Sequence, residues 1–109
     1  MYYLVVKDKF DAAHHLPGYD GPCANIHGHS WKVEVEVLGN KLQSNGMLID
    51  FQDIKAVWRI YDHRNLNDYF DMPTAENIAK EIFKVLSTLT PVVYVRIWES
   101  DNCYAEYAE

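Results

Sequence analysis

An alternating pattern between residues 27 and 37 is the feature that most constrains the fold of this chain. Odd positions carry imidazole or apolar side chains, whereas even positions carry glycine, serine, lysine and glutamate. Because successive side chains of a strand point to opposite faces, the pattern predicts a half-buried β-strand over residues 29–38. The same alternation places His27 and His29 on the face of the apolar residues. The strand therefore carries both core residues and candidate metal ligands.

A third imidazole, His14, lies upstream at the end of a first predicted strand. His27 and His29 are two residues apart in an extended segment, so both rings can reach one metal ion. Three neutral histidines with an open fourth position are typical of a catalytic zinc site. The alternative is that His27 and His29 are solvent-facing strand residues that bind nothing.

The length and charge of the chain exclude several classes of protein. We expect one domain spanning residues 1–109, because 109 residues leave no room for a second core. The formal net charge of −6 argues against a nucleic-acid binder with a basic face. No apolar run approaches the ~20 residues of a membrane span, and no secretory signal is evident, so we expect a cytoplasmic protein without a membrane partner.

Cys23 and Cys103 could form a disulfide, but in a protein that is not exported free thiols are favoured.

The remaining periodicities predict an α+β domain with the element order ββααββ. Asp50 and Thr74 are candidate N-caps, and each precedes an apolar stripe with helical spacing. Such an order predicts an antiparallel four-stranded sheet with two helices on one face. The two free sheet edges favour pairing between subunits. The predicted elements are strands at 2–14, 29–38, 92–99 and 103–108, a helix at about 51–61, and a second helix from 75 whose stripe reaches Leu89.

Six segments, in order along nearly the whole chain, resemble the 6-pyruvoyl-tetrahydropterin synthase / 6-carboxytetrahydropterin synthase family. The resemblance implies the tunnelling fold, or T-fold, in which three sheets join edge to edge into a barrel. It also implies a homohexamer made of two stacked trimers. The segments are Phe10-Asp11-Ala12-Ala13-His14, Cys23, His27-Gly28-His29, Asp62-His63-Arg64-Asn65-Leu66-Asn67, Pro73-Thr74-Ala75-Glu76-Asn77 and Trp98-Glu99-Ser100.

By this resemblance, His14, His27 and His29 are the ligands of a Zn²⁺ ion. Cys23 is implied to be the general base that removes a proton from the substrate side chain. Only the thiolate form can do so, which requires a cation nearby. The alternative is that Cys23 merely packs in its loop, which is rich in proline and glycine.

The resemblance also implies that Asp62 and His63 form a catalytic pair and that Glu99 anchors the pterin. Adjacent residues at a helix end rarely face the same point, so we expect their hydrogen bond to run through a neighbouring subunit or water. Without the resemblance, His63 would be a histidine favoured by the helix dipole and Glu99 an ordinary charged strand end. Thr74 is a secondary candidate for contact with the pterin, since a helix cap already accounts for it.

The implied activity is that of a zinc-dependent lyase acting on 7,8-dihydroneopterin triphosphate. The products are 6-carboxy-5,6,7,8-tetrahydropterin, acetaldehyde and triphosphate, on the way to 7-deazaguanines such as queuosine. The short spacer between Cys23 and His27 favours this reaction over 6-pyruvoyl formation, although Glu99-Ser100-Asp101-Asn102 resembles the pyruvoyl-forming animal proteins. A non-catalytic zinc- and pterin-binding module stays open as well, as does an aldolase or cyclohydrolase on the related scaffold.

The triphosphate of such a substrate has no obvious binding segment in this sequence. A glycine-rich phosphate loop is absent, so the position of the phosphate site stays open. The scattered cationic candidates are Lys7, Lys9, Lys32 and Arg64.

Overall fold

Five strands and two helices make up the structure, a computed structural model that describes residues 1–109. The sheet order is β3-β1-β2-β4-β5, and two short 3₁₀ turns lie at Pro22–Ala24 and Leu66–Asp68. Neither helix has the length and apolar character needed to cross a membrane. The elements are β1 (Tyr2–His14), β2 (His27–Gly39), α1 (Phe51–Arg59), β3 (Arg64–Asn65), α2 (Ala75–Leu86), β4 (Val92–Ser100) and β5 (Cys103–Tyr107).

The sheet has one strand more than the four that the sequence predicts. The additional strand is β3, which pairs in parallel with β1 at Ala12 and Ala13, whereas all other pairs are antiparallel. The chain after α1 returns along the end of β1, and two residues suffice for this contact. Such a short parallel pair has no periodicity in the sequence that could have predicted it.

The helices begin where the sequence predicts but end earlier. The Asp50 side chain accepts a hydrogen bond from Gln52 N, and Thr74 Oγ1 accepts one from Asn77 N at 3.2 Å. The helix α1 ends at Arg59, and α2 ends at Leu86. Leu89, which continues the apolar stripe in the sequence, lies in the following turn and is 52% exposed.

The core lies between the helices and one face of the sheet. Both helices contribute to a single cluster of nineteen buried apolar residues. Trp31 is fully buried and stacks on Phe10 of β1, with 6.3 Å between the ring centroids. Beyond Trp31 lies the one buried polar residue, His14, whose ring meets the indole edge-on at 4.8 Å. The core therefore ends at the first candidate metal ligand.

Candidate metal centre and acid–base pair

The antiparallel register of β1 and β2 brings three histidines together. His14 pairs directly with His27, and His29 lies opposite Ala12. The ring centroids are separated by 4.5 Å for His14–His27, 4.8 Å for His27–His29 and 5.1 Å for His14–His29. Because His14, His27 and His29 lie on the same face of the two paired strands, their rings form a compact cluster at one end of the core.

Backbone carbonyls orient two of these rings. His14 Nδ1 donates to the backbone oxygen of Pro73 at 2.8 Å, and His27 Nδ1 donates to that of Asn25 at 2.7 Å. A carbonyl oxygen can only accept, so the proton of each neutral ring is on Nδ1 and the lone pair is on Nε2. The two Nε2 atoms face each other at 3.0 Å. Two lone pairs at this distance repel unless a cation lies beside them, which is the arrangement that a metal ion stabilises.

The third ring, His29, is held in a form that suits a metal ligand. Its Nε2 is buried and has no hydrogen-bond partner. A carboxylate oxygen of Glu99 lies 3.1 Å away and acts to raise the pKa of the ring. Burial lowers the pKa of His29 below 6.5, and this effect outweighs the opposing one of the Glu99 charge. A neutral imidazole with an unpaired nitrogen is a competent ligand.

Glu99 completes this cluster. Its Oε1 is 3.7 Å from His14 Nε2, and the candidate ligand atoms of the four residues all lie within 4.8 Å of one another. Three imidazoles and one carboxylate form a donor set that a divalent ion such as zinc accepts. The sequence predicts that the fourth ligand position of the metal site is open, whereas in the structure the Glu99 carboxylate lies beside the three imidazoles. The contact of Glu99 with a pterin stays a prediction.

A second cluster contains Asp62, His63 and Asp11. Asp62 Oδ2 lies 3.0 Å from His63 Nδ1, although the sequence predicts that such neighbours do not bond directly. The physical reason is the backbone of His63, whose φ of +59° lies in the left-handed region and turns the ring back towards Asp62. A left-handed non-glycine residue is strained, and such residues cluster at functional sites.

The β1 strand anchors this second cluster through the peptide groups of Asp11. Asp11 N donates to Asp62 Oδ1 at 2.9 Å, and His63 N donates to Asp11 O at 2.6 Å. The hydrogen bond from Asp11, followed by that from His63, lowers the pKa of Asp62 below 3.8. The ionised carboxylate accepts a hydrogen bond from His63 Nδ1, which leaves Nε2 of the exposed ring without a partner in the cluster.

The remaining predicted residues lie apart from both clusters. Cys23 is partly buried in the 3₁₀ turn Pro22–Ala24, and its backbone oxygen accepts from Leu16 N at 2.8 Å. It is a free thiol, as is Cys103, which agrees with the prediction. Thr74 is the cap of α2 and follows Pro73, whose carbonyl orients His14.

An open cleft lies on the face of the sheet that carries Asp11 and Ser30, opposite the face of the three histidine rings. Its lining includes the strand residue His29 from the histidine cluster and His63 from the second cluster. Arg64, one of the cationic candidates for binding phosphate, also lines it. Asp11 lines the same cleft and accepts a hydrogen bond from the Ser30 hydroxyl. The contacts of Asp11 with Asp62 and His63 join positions about fifty residues apart, so no local pattern in the sequence predicts them.

Comparison with known proteins decides the family. The model of the 6-pyruvoyl tetrahydropterin synthase family matches residues 3–109. The chain belongs to this family. A relative from Archaeoglobus fulgidus, provisionally named 6-carboxy-5,6,7,8-tetrahydropterin synthase, is 40% identical over 106 residues. The match covers 93% of this chain and 90% of the relative. The 6-carboxy-5,6,7,8-tetrahydropterin synthase of Bacillus subtilis is 38% identical over 113 residues, with 88% and 77% covered.

A solved structure of the 6-pyruvoyl tetrahydropterin synthase family agrees with the fold. The Caenorhabditis elegans 6-pyruvoyl tetrahydropterin synthase matches with a TM-score of 0.79 at 26% identity, covering 99% of this chain and 95% of that one. The fold is therefore the T-fold, and the predicted α+β class is confirmed with the addition of β3. The predicted family is confirmed as well.

Proposed function

We propose that this protein is a zinc-dependent lyase that converts 7,8-dihydroneopterin triphosphate to 6-carboxy-5,6,7,8-tetrahydropterin, releasing acetaldehyde and triphosphate. In this proposal the product enters the synthesis of 7-deazaguanines such as queuosine. The observation that carries the proposal is the pair of Nε2 atoms of His14 and His27, facing each other at 3.0 Å beside the unpaired His29. The names of the Archaeoglobus and Bacillus relatives support the choice of reaction.

His14, His27 and His29 would hold the zinc ion. When bound, zinc supplies Lewis-acid polarisation of the substrate side-chain hydroxyls. The residues of this chain fit the ion for two reasons. His14 and His27 each donate Nδ1–H to a carbonyl, which leaves their Nε2 atoms free to bind a metal, and burial favours the neutral form of the His29 ring. Removal of the ion would leave three nitrogen lone pairs close together at the end of the core.

Cys23 and the Asp62–His63 pair would move the protons. Cys23 acts as a general base at a carbon of the substrate side chain. Asp62 holds the Nδ1–H tautomer of His63, so the Nε2 atom of His63 accepts or returns the proton. Since His63 is exposed and outside the histidine cluster, we propose that a neighbouring subunit closes the site over it.

Glu99 is proposed as the substrate-binding carboxylate, with Thr74 as a secondary contact. A carboxylate can accept two parallel hydrogen bonds from the N–H and 2-amino groups of a pterin. Its Oε1 lies 3.1 Å from His29 Nε2, so a pterin held by this carboxylate would bind beside the proposed zinc site. Glu99→Gln separates the two possible roles: an anchor predicts a raised KM with zinc retained, whereas loss of zinc would identify a metal ligand instead.

The proposed assembly is a homohexamer built as a dimer of trimers. The edge of β1 is unpaired except at Ala12 and Ala13, and β5 is the opposite edge of the sheet. Exposed edges that carry free backbone groups favour strand pairing between copies. Light scattering on the purified protein should give six chains, and a monomer at micromolar concentration would contradict the assembly.

A row of charges across the uncovered face of the sheet supports head-to-tail pairing. Its members alternate in sign from the cation Lys7 on β1 through Glu34 and Arg96 to the anion Glu106 on β5. The distances are 4.0 Å for Lys7–Glu34, 2.9 Å for Glu34–Arg96 and 2.7 Å for Arg96–Glu106. If β5 pairs with β1 of the next copy, the alternation continues around the ring.

The whole chain, residues 1–109, would work as one cytoplasmic domain. The single buried cluster of nineteen residues supports one domain. The formal charge of −6 argues against a nucleic-acid partner, and we propose a small-molecule pterin substrate and no membrane partner.

A second candidate function is 6-pyruvoyl formation, in which every side-chain carbon is retained. The match to the Caenorhabditis elegans structure favours it. Incubation of the purified protein with 7,8-dihydroneopterin triphosphate separates the two reactions. Release of acetaldehyde supports the proposed lyase, and a product with all side-chain carbons supports the second candidate.

A non-catalytic pterin-binding module is tested by replacing the thiol. Cys23→Ala should abolish product formation and keep the zinc, because the thiol is outside the ligand cluster. Cys103→Ala is the matched control, since that thiol lies on β5, and it should retain both properties. A wild-type protein that binds the pterin without consuming it would refute the enzyme proposal.

A further inference from the structure

Asn67 makes contacts that no step of the proposed reaction uses. Its side-chain amide bonds both polar backbone atoms of His15: Oδ1 accepts from His15 N at 2.9 Å, and Nδ2 donates to His15 O at 3.0 Å. These are the two kinds of hydrogen bond that a neighbouring strand would make with a residue. The amide therefore acts as a short substitute strand beyond the end of β1.

This contact extends the pairing between β3 and β1. Ala12 pairs with Arg64 and Ala13 with Asn65, and Asn67 then reaches residue 15. The Asn67 backbone is itself fixed, because its N–H donates to Asn65 Oδ1 at 3.0 Å. The intervening Leu66 is fully buried in the core. The amide thus projects from a well-supported turn.

The residue that precedes the bonded backbone is the metal ligand His14. Its ring is oriented from one side by the carbonyl of Pro73, at 2.8 Å. Asn67 holds the chain on the other side, at His15. With its ring and its following residue both held, His14 directs Nε2 towards His27. The orientation of a metal-bound histidine by its neighbours typically changes metal affinity or activity by about tenfold to a hundredfold.

We propose that Asn67 is a positioning residue of the metal centre and that it acts through the backbone of His15. This inference rests on the proposed metal centre. The amide is suited to the role because only a group with one acceptor and one donor can satisfy both backbone atoms. An aspartate would match His15 N but would place a carboxylate against His15 O. An alanine would leave both partly buried backbone atoms without these partners.

The same contact joins the metal centre to the acid–base pair. Asp62 and His63 lie in the segment that precedes β3, and Asp11 ties that segment to β1. Asn67 is a second attachment point of this segment, three residues beyond the start of β3. Loss of Asn67 should therefore affect the metal ligand first and leave the Asp62–His63 contact largely intact.

Zinc affinity of the full chain is the direct test. We would measure it by competition with a chromophoric chelator for the wild type, Asn67→Ala and Asn67→Asp. Asn67→Ala should bind zinc about tenfold to a hundredfold more weakly. Asn45→Ala is the matched control, because Asn45 Oδ1 also accepts a backbone hydrogen bond, from Met47 N at 2.9 Å, in an exposed loop. The control should bind zinc as the wild type does.

Cobalt substitution supplies a readout that general destabilisation would not change. The visible absorption of bound Co²⁺ reports ligand geometry, so Asn67→Asp should shift it relative to the wild type. If Asn67→Ala does not fold, Asn67→Asp retains one of the two hydrogen bonds and serves for both measurements. Unchanged zinc affinity and an unchanged cobalt spectrum would refute the role of Asn67. A wild-type protein that binds no zinc would instead refute the metal centre and, with it, this role.

Discussion

The His14 ring donates a hydrogen bond at 2.8 Å to the backbone oxygen of Pro73, which lies 59 positions further along the chain. Pro73 directly precedes Thr74, the N-cap of α2. The bond therefore links the orientation of a candidate metal ligand to the docking of a helix on the sheet. Changes near the start of α2 should reach the metal centre through this carbonyl.

The two clusters can be separated by replacing one histidine in each. His27→Ala should abolish zinc binding, because it removes one of the two facing Nε2 atoms. His63→Ala is the matched control and should retain one zinc per chain while losing product formation. Elemental analysis and product detection on both variants check this. Zinc loss in His63→Ala would contradict the separation of the clusters.

The Asp62 carboxylate should contribute a pH-dependent part of the stability. Because hydrogen bonds from Asp11 N and His63 lower its pKa in the folded state, this contribution is present above the unfolded-state value and is lost as pH falls through the folded-state value. The difference in unfolding free energy between the wild type and Asp62→Asn should therefore shrink between about pH 5 and about pH 2.

Urea denaturation at several pH values checks this expectation. Asp20→Asn is the control, because the Asp20 side chain makes no hydrogen bond or ion pair. A stability difference for Asp62→Asn that does not change over this range would show that the folded state does not favour the ionised carboxylate.

Thr74 should matter to stability through its cap. Thr74→Ala should lower the free energy of unfolding by about 1 kcal/mol, because Asn77 N would lose its partner at the start of α2. Thr74→Ser keeps a hydroxyl acceptor and should retain most of the stability. Urea denaturation measures the contribution of the cap to the free energy of unfolding. The KM of Thr74→Ser for the pterin measures the predicted substrate contact. Equal stability of Thr74→Ala and the wild type would contradict the cap.

Two leucines at the end of α2 should differ sharply. Leu86 is fully buried, so Leu86→Ala should destabilise the fold by about 2–5 kcal/mol. Leu89 is half exposed, and Leu89→Ala should change stability by no more than about 0.5 kcal/mol. Thermal or urea unfolding of both variants compares them directly. Similar losses would mean that the turn after α2 packs differently.

Most of the element pattern could be predicted from local periodicity. The alternation through β2 and the apolar stripe of α2 reflect which face of each element is buried, and burial selects residue type at each position. The ends of the elements are less evident, because they depend on packing. Leu89 has the right spacing for the stripe, yet the helix stops at Leu86 and the chain turns.

The candidate site likewise contains residues that the sequence predicts and contacts that depend on tertiary packing. His14, His27 and His29 were identified from parity and spacing, and the structure brings them together. The position of Glu99 beside them depends on the packing of β4 against β2, which no local pattern contains. The direct Asp62–His63 contact depends on one left-handed residue, and the roles of Asn67 and Pro73 depend on hydrogen bonds between segments more than fifty positions apart.

The amino-acid sequence alone determined the α+β class and the three imidazoles, because strand parity and helical spacing are local properties of the chain. Its ordered motifs also determined the family, through their resemblance to those of known members. Only the tertiary structure decided which groups surround those imidazoles. The carbonyl of Pro73, 59 positions away, fixes the tautomer of His14, and the Glu99 carboxylate of β4 lies beside His29; such contacts exist only when the sheet and helices are packed together. The His27 ring is instead held locally, by the carbonyl of Asn25.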